Sequence, residues 1–165
     1  MLDPGRVRTR TGRLWAYARD DRPWCGPEPP AAVYFYSPDR RSERPASHLE
    51  HFKGVVHVDG YPGFERLATG SDMQLAVCWT HVRRKFYEEH QATGSSVAAE
   101  ALRRIAELYA IEATIWSQTA AARQGVRRVR SLSLNEAMKV WLETKLNRIP
   151  PRGGLADAMR YALTR

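Results

Sequence analysis

Two stretches hold the residue types that could do chemistry. One is an apolar run that stops on an acid, Val55, Val56, His57, Val58 and Asp59, followed by Gly60 and Tyr61. The other is a basic block a short element later, running from Cys78 and Trp79 through His81, Arg83, Arg84 and Lys85 to Phe86. A buried strand that presents a carboxylate at its C-terminal tip, ahead of a glycine turn, aims a hard oxygen ligand into a cleft. Such a carboxylate is a candidate metal ligand. The basic block suits a phosphate backbone, with His81, Arg83, Arg84 and Lys85 as the contacting residues. Both stretches also have plainer readings, since Asp before Gly is a common turn pair and a charge run is commonly a solvated helix face.

Other constellations are weaker. His48 and His51 with Cys78 and His81 could supply four zinc ligands, but helices generate both spacings by chance and no paired-cysteine signature is present. Trp15, Tyr17, Tyr34 and Tyr36 could stack on bases, although aromatic strand residues are more often core. Cys25 and Cys78 are too few and too distant in sequence for a disulfide framework, so reduced thiols are expected.

The elements that must position these residues follow from periodicity. Residues 14–19 and 31–36 have strand character and flank a Pro- and Gly-rich connector, which predicts a hairpin with a long loop. A helix is expected from about Ser42 to Phe52, then the buried strand 54–59. A short helix or turn from Tyr61 to Leu67 precedes a strand from Leu75 to Trp79, and a helix follows from His81 to His90. From residue 96 to 122 the apolar positions Ala98, Ala101, Leu102, Ile105, Leu108, Ile111, Ile115 and Trp116 recur at helical spacing. Ser133 and Glu136 form a capping-box pattern that predicts a helix start, with Pro150 and Pro151 as its stop. A last helix spans Leu155 to Leu163. The organisation is a basic extended arm over 1–12, a strand-rich part over 13–91 and a helical region over 92–165.

Composition sets the class of partner. The 165 residues suffice for about one domain. The mean hydropathy of −0.53 and the lack of a long apolar run give neither a membrane span nor a signal peptide, so the expected location is cytoplasmic. Twenty-six basic residues against 18 acidic ones leave a net charge of +8, supplied mostly by arginine. Arginine pairs with phosphate through a rigid fork, which points to a polyanion, with nucleic acid first. The arginines cluster in three blocks: Arg6, Arg8, Arg10 and Arg13; Arg83 and Arg84 with Lys85; and Arg127, Arg128 and Arg130.

Several stretches taken together resemble the large transposase of the insertion sequence 66 group. They are Thr11 to Pro23, Tyr34 to Arg40, Val58 to Phe64, Cys78 to Phe86 and Ala158 to Arg165. The resemblance runs through the whole chain. It implies an α/β, ribonuclease-H-like fold, the core of a DDE transposase, here incomplete and with a helical insertion and C-terminal helical region. It further implies two Asp and one Glu holding two divalent metals, Mg²⁺ or Mn²⁺, that activate water and then a DNA 3′-hydroxyl. Two metals about 4 Å apart stabilise both the attacking and the leaving oxygen of such a displacement.

Carried over residue by residue, the resemblance makes Asp59 the second catalytic and metal-binding carboxylate. The first belongs to an Asp-Glu-Thr segment ahead of the stretch matching Leu2 to Gly5, and the Glu to a segment beyond the helix that reaches Arg165. Asp3 is no substitute. One ligand of three therefore remains, and the strand bearing the first Asp, which belongs between the hairpin and strand 54–59, is missing. Either the hairpin docks on strand 54–59 or two edges stay open. The expectation is the middle of a transposase, left by element decay, a frameshift or a misplaced start at Met1, and inactive alone. The expected partners are transposon-end DNA and a further copy or a full-length transposase. Two other readings are a DNA-binding or oligomerising remnant that modulates the full-length enzyme, and an unrelated basic nuclease.

Overall fold

The computed structural model describes residues 11–69 and 72–164. The Arg6, Arg8 and Arg10 part of the basic arm, and Asp3, lie outside them. By packing, the chain divides into two units. One holds the described residues through Asp21 with Glu28–Val77, the other Arg22–Pro27 with residues 78 onward.

The first unit carries the four strands of the described residues. β1 (Arg13–Arg19) and β2 (Ala31–Ser37) form the expected antiparallel hairpin, with Trp15 opposite Phe35 and Leu14 opposite Tyr36. Side chains alternate across a strand, so the two faces meet different fates. Trp15, Tyr17 and Phe35 point to α1 (Glu43–His48) and to the 3-10 turn Pro62–Phe64. There the His48 ring stacks on Phe35 at 4.2 Å, and Trp15 packs against Tyr61 and Phe64 at 6.2 and 6.1 Å. Trp15 Nε1 donates to the buried Ser37 Oγ at 2.8 Å, so the indole N–H keeps a partner on burial. On the opposite face Leu14, Tyr34 and Tyr36 remain exposed, at 68, 61 and 50%.

β3 (Gly54–Val58) and β4 (Met73–Val77) are parallel, Val58 beside Val77, joined by a crossover that contains the 3-10 turn and α2 (Glu65–Ala68). Among the described residues the hairpin does not pair with β3, and two separate two-stranded sheets result. Strand 54–59 is less buried than its apolar run predicts. Only Val58 is buried, with Val56 partly covered on the same face, while Val55, 54% exposed, shares the opposite and exposed face with His57. The helix expected from Ser42 to Phe52 ends at His48, since the chain must turn at Leu49 to enter β3, with Phe52 N–H donating to Leu49 O.

The second unit is helical: α3 (Trp79–Thr93), α4 (Ser96–Thr114), α5 (Ala120–Val126), α6 (Leu132–Leu146) and α7 (Gly154–Leu163). Its core joins Val82 and Phe86 of α3, Ala98, Ala101 and Ile105 of α4, Met138 and Leu142 of α6, and Ala158 and Met159 of α7. α3, grouped with the strands when the sequence is divided at residue 91, thus shares its buried face with the helices. It begins at Trp79, two residues earlier than expected, because Trp79 occupies the same face as Val82 and packs on that core. Gly94, at φ 67°, ends α3 in the left-handed region that suits glycine, and Ser95 Oγ accepts from Ala98 N–H to start α4.

Two further helix boundaries depart from expectation. The helical stripe over 96–122 breaks after Thr114, and Thr119 caps α5 by accepting from Ala122 N–H. The capping box at Ser133 is not used. α5 runs into α6 through a π turn, Arg127–Ser131, and Ser133 Oγ donates back to Arg130 O instead of accepting a free amide. With helix already present upstream, no unpaired N–H is left at Ser133 for a cap to serve.

Candidate functional site

Asp59 follows the last residue of β3, where the buried Val58 anchors the strand and Gly60, at φ 80°, turns the chain back. Asp59 Oδ1 accepts the Tyr61 N–H at 3.0 Å, a side-chain turn that fixes the carboxylate, and Oδ2 stands 3.9 Å from Arg40 Nη2. Arg40 is itself located by Tyr61. Its guanidinium lies 4.1 Å above the ring, and the Tyr61 hydroxyl donates to Arg40 O. Asp39, next to it, is clasped by Arg44 Nε and Nη2 at 3.2 Å each and by the Arg41 N–H at 3.2 Å. The Arg44 hydrogen bonds, then that of Arg41, hold its carboxyl below the usual carboxylate range. The acid at the strand tip therefore faces a cation of its own chain. Asp39, Arg40 and Tyr61 were not singled out from the sequence as site residues. The motif ending at Arg40 was visible, but its meeting with Asp59 depends on how β2 and the β3 crossover pack.

His81, Arg83, Arg84 and Lys85 occupy the first turns of α3, in the helical unit. Val82 and Phe86 face the core, so the residues between them fan outward at roughly 100° steps. Arg84 points to solvent, Arg83 lies over Tyr87 at 5.8 Å, and Lys85 Nζ lies over Tyr161 of α7 at 4.7 Å. Among the described residues none of the three has an acidic partner within 4 Å. His81 is half-buried, and its Nδ1 is buried without a hydrogen-bond partner. His48, a candidate zinc ligand by sequence, is instead engaged by Tyr17, whose hydroxyl lies 3.0 Å from Nδ1.

The family model described as "Transposase IS66 family" matches residues 1–165, the whole chain. The chain belongs to the IS66 transposase family. Its similar relatives include uncharacterized protein y4jD of Sinorhizobium fredii, 42% identical over 98% of the chain. Uncharacterized protein y4qI of the same organism is 38% identical over 99%. The IS66 chain spans about a third of the length of each, 33 and 32%. No solved structure matches it. Membership removes the reading of an unrelated basic nuclease.

A metal pair of the DDE type is tested directly by the surroundings of Asp59. Among the described residues of this IS66 chain no three His, Cys, Asp or Glu side chains gather. The Asp59 carboxylate already has the Arg40 guanidinium beside it, Nη2 standing 3.9 Å from Oδ2. These residues do not fit a resident pair of divalent ions, and no metal-dependent step follows from them. No described helix of the IS66 chain is long and apolar enough to cross a membrane.

Proposed function

We propose that the chain is a central segment of a DDE transposase with a ribonuclease-H-like plan, in which Asp59 is one of the three carboxylates and the segment is inactive by itself. The observation that carries this reading is Asp59 at the C-terminal tip of a parallel strand, in a chain matched from end to end by the IS66 family. The separation of hairpin and parallel pair into two sheets supports it, because that plan inserts the strand of the first Asp between them. In the intact enzyme Asp59 would give one oxygen to Mg²⁺ or Mn²⁺. The substrate is transposon-end DNA, the partners are DNA and further transposase copies, and the location is cytoplasmic. Incubation of the chain with supercoiled plasmid and Mg²⁺ or Mn²⁺ tests the reading: no nicking is expected. Nicking abolished by Asp59→Asn would overturn it.

A second reading, a non-catalytic remnant that binds DNA or full-length transposase, is favoured by the pairing of Asp59 with Arg40 and by the absence of a carboxylate cluster among the described residues. Co-expression with an intact IS66 transposase separates the two. A remnant that modulates the enzyme changes transposition frequency even as Asp59→Asn, whereas a simple catalytic segment leaves it unchanged.

A further inference from the structure

The third basic block belongs to neither candidate site. It lies on the π turn Arg127–Ser131, a helix type that is rare and recurs at functional positions. Its arginines divide into two roles. Arg127 turns back to α4, where Nε and Nη2 donate to both oxygens of Glu112 at 2.7 Å; Arg123, mostly buried, donates to the same carboxylate at 3.1 Å. With Ser131 buried one turn on, this fastens the π turn from behind.

Arg128 and Arg130 are exposed, and among the described residues neither meets an acid. No acidic residue occurs in the sequence between Glu112 and Glu136, and Glu112 is already occupied by two arginines, so no ion pair among the described residues offsets their charge. Val129 between them is 79% exposed, the most exposed large apolar side chain of the described residues. Two positions from both Arg127 and Ser131, it lies on the side of the turn opposite the one they fasten. Its chain neighbours fall on the two shoulders, each roughly 100° away or a little less. The block on α3 differs, because two of its three cations are spent over tyrosine rings.

A rigid helix with an apolar tip and a guanidinium on each shoulder matches a groove of B-form DNA. The major groove admits a helix, phosphates line both sides, and an apolar tip can meet a thymine methyl on the floor. The major groove of duplex RNA is too deep and narrow for this. We propose that the π turn is a duplex-DNA contact in which Arg128 and Arg130 take phosphates of opposite strands and Val129 faces the base edges. This rests on the reading of the chain as a DNA-binding transposase segment.

Fluorescence anisotropy of a short labelled DNA duplex, measured over a range of salt concentrations, tests it. Arg128→Gln with Arg130→Gln should weaken binding roughly 10- to 100-fold near 0.1 M salt and reduce the slope of log affinity against log salt by about 2. Val129→Glu should weaken it as well. Because all three side chains are exposed, circular dichroism melts should overlay the native one. Native-like binding by the double variant, with loss on Arg83→Gln/Arg84→Gln instead, would overturn this inference and leave DNA binding standing. Equal, Arg128-dependent binding of duplex RNA would overturn groove insertion. No binding of DNA even at low salt would overturn both this inference and the reading beneath it.

Discussion

The guanidinium of Arg40 stands 3.9 Å from the Asp59 carboxylate while lying 4.1 Å above the Tyr61 ring. Both partners of the ion pair are about half exposed, at 52 and 45%, so water screens it. Arg40→Gln should therefore shift the urea unfolding free energy by less than about 1 kcal/mol. Trp15→Ala, which removes a ring in contact with His48, Tyr61 and Phe64, should cost about 3 kcal/mol. Equal costs for the two would mean that the Arg40 pair organises the first unit.

His48 gives the first unit a pH dependence. Burial, and secondarily the charge of Arg44, lower its pKa from the ordinary value near 6.5. With the folded pKa below the unfolded one, the unfolded chain binds the proton first. Stability is then lost as pH falls below about 6.5 toward the folded pKa, and is regained above it. Thermal melts between pH 7.5 and 5 should show a decline that is shallower in His48→Gln, whereas identical slopes would remove His48 as its source.

The exposed face of the hairpin predicts association. Leu14, Tyr34 and Tyr36 form one apolar side of β1 and β2 that no described element covers. Leu14→Thr with Tyr34→Thr should lower dye binding and self-association in sedimentation runs, with little change in melting temperature. A melt lowered by several degrees would show instead that this face is packed in solution.

Arg123 is the costly charge of the helical unit. Its side chain is 11% exposed, and it donates to Glu112 and to Pro23 O. Glu112→Gln leaves Arg123 and Arg127 without their counter-ion and should destabilise by about 2 kcal/mol in chemical denaturation, more than Arg127→Gln does. A cost for Glu112→Gln no larger than that of Arg127→Gln would mean that Pro23 O alone satisfies Arg123.

How far the sequence could be read depended on the range of the interactions involved. Alternation gave β1 and β2, and the spacing of Ala98, Ala101 and Ile105 gave α4, because both signals are local and each element buries one face. The exposure of Val55 was hidden, since an apolar run does not say whether both faces of a strand will be covered. Ser133 and Glu136 misled because a capping pattern works only where the helix begins, and here helix arrives from upstream through the π turn. The site divided in the same way. Asp59 stood out as an acid ending an apolar run, whereas its partners Arg40 and Tyr61 come from the far end of β2 and from the crossover, a contact that no spacing encodes.

The proposed role of Asp59 as a catalytic carboxylate of the intact enzyme is tested most directly by an excision assay with a full-length IS66 transposase carrying this segment. Asp59→Asn should reduce excision to background while the protein accumulates normally. Asp72→Asn, which removes only an exposed pair with Lys53, should excise like the parent. Parental excision frequency with Asp59→Asn would contradict the account, making Asp59 a turn residue that happens to end a strand.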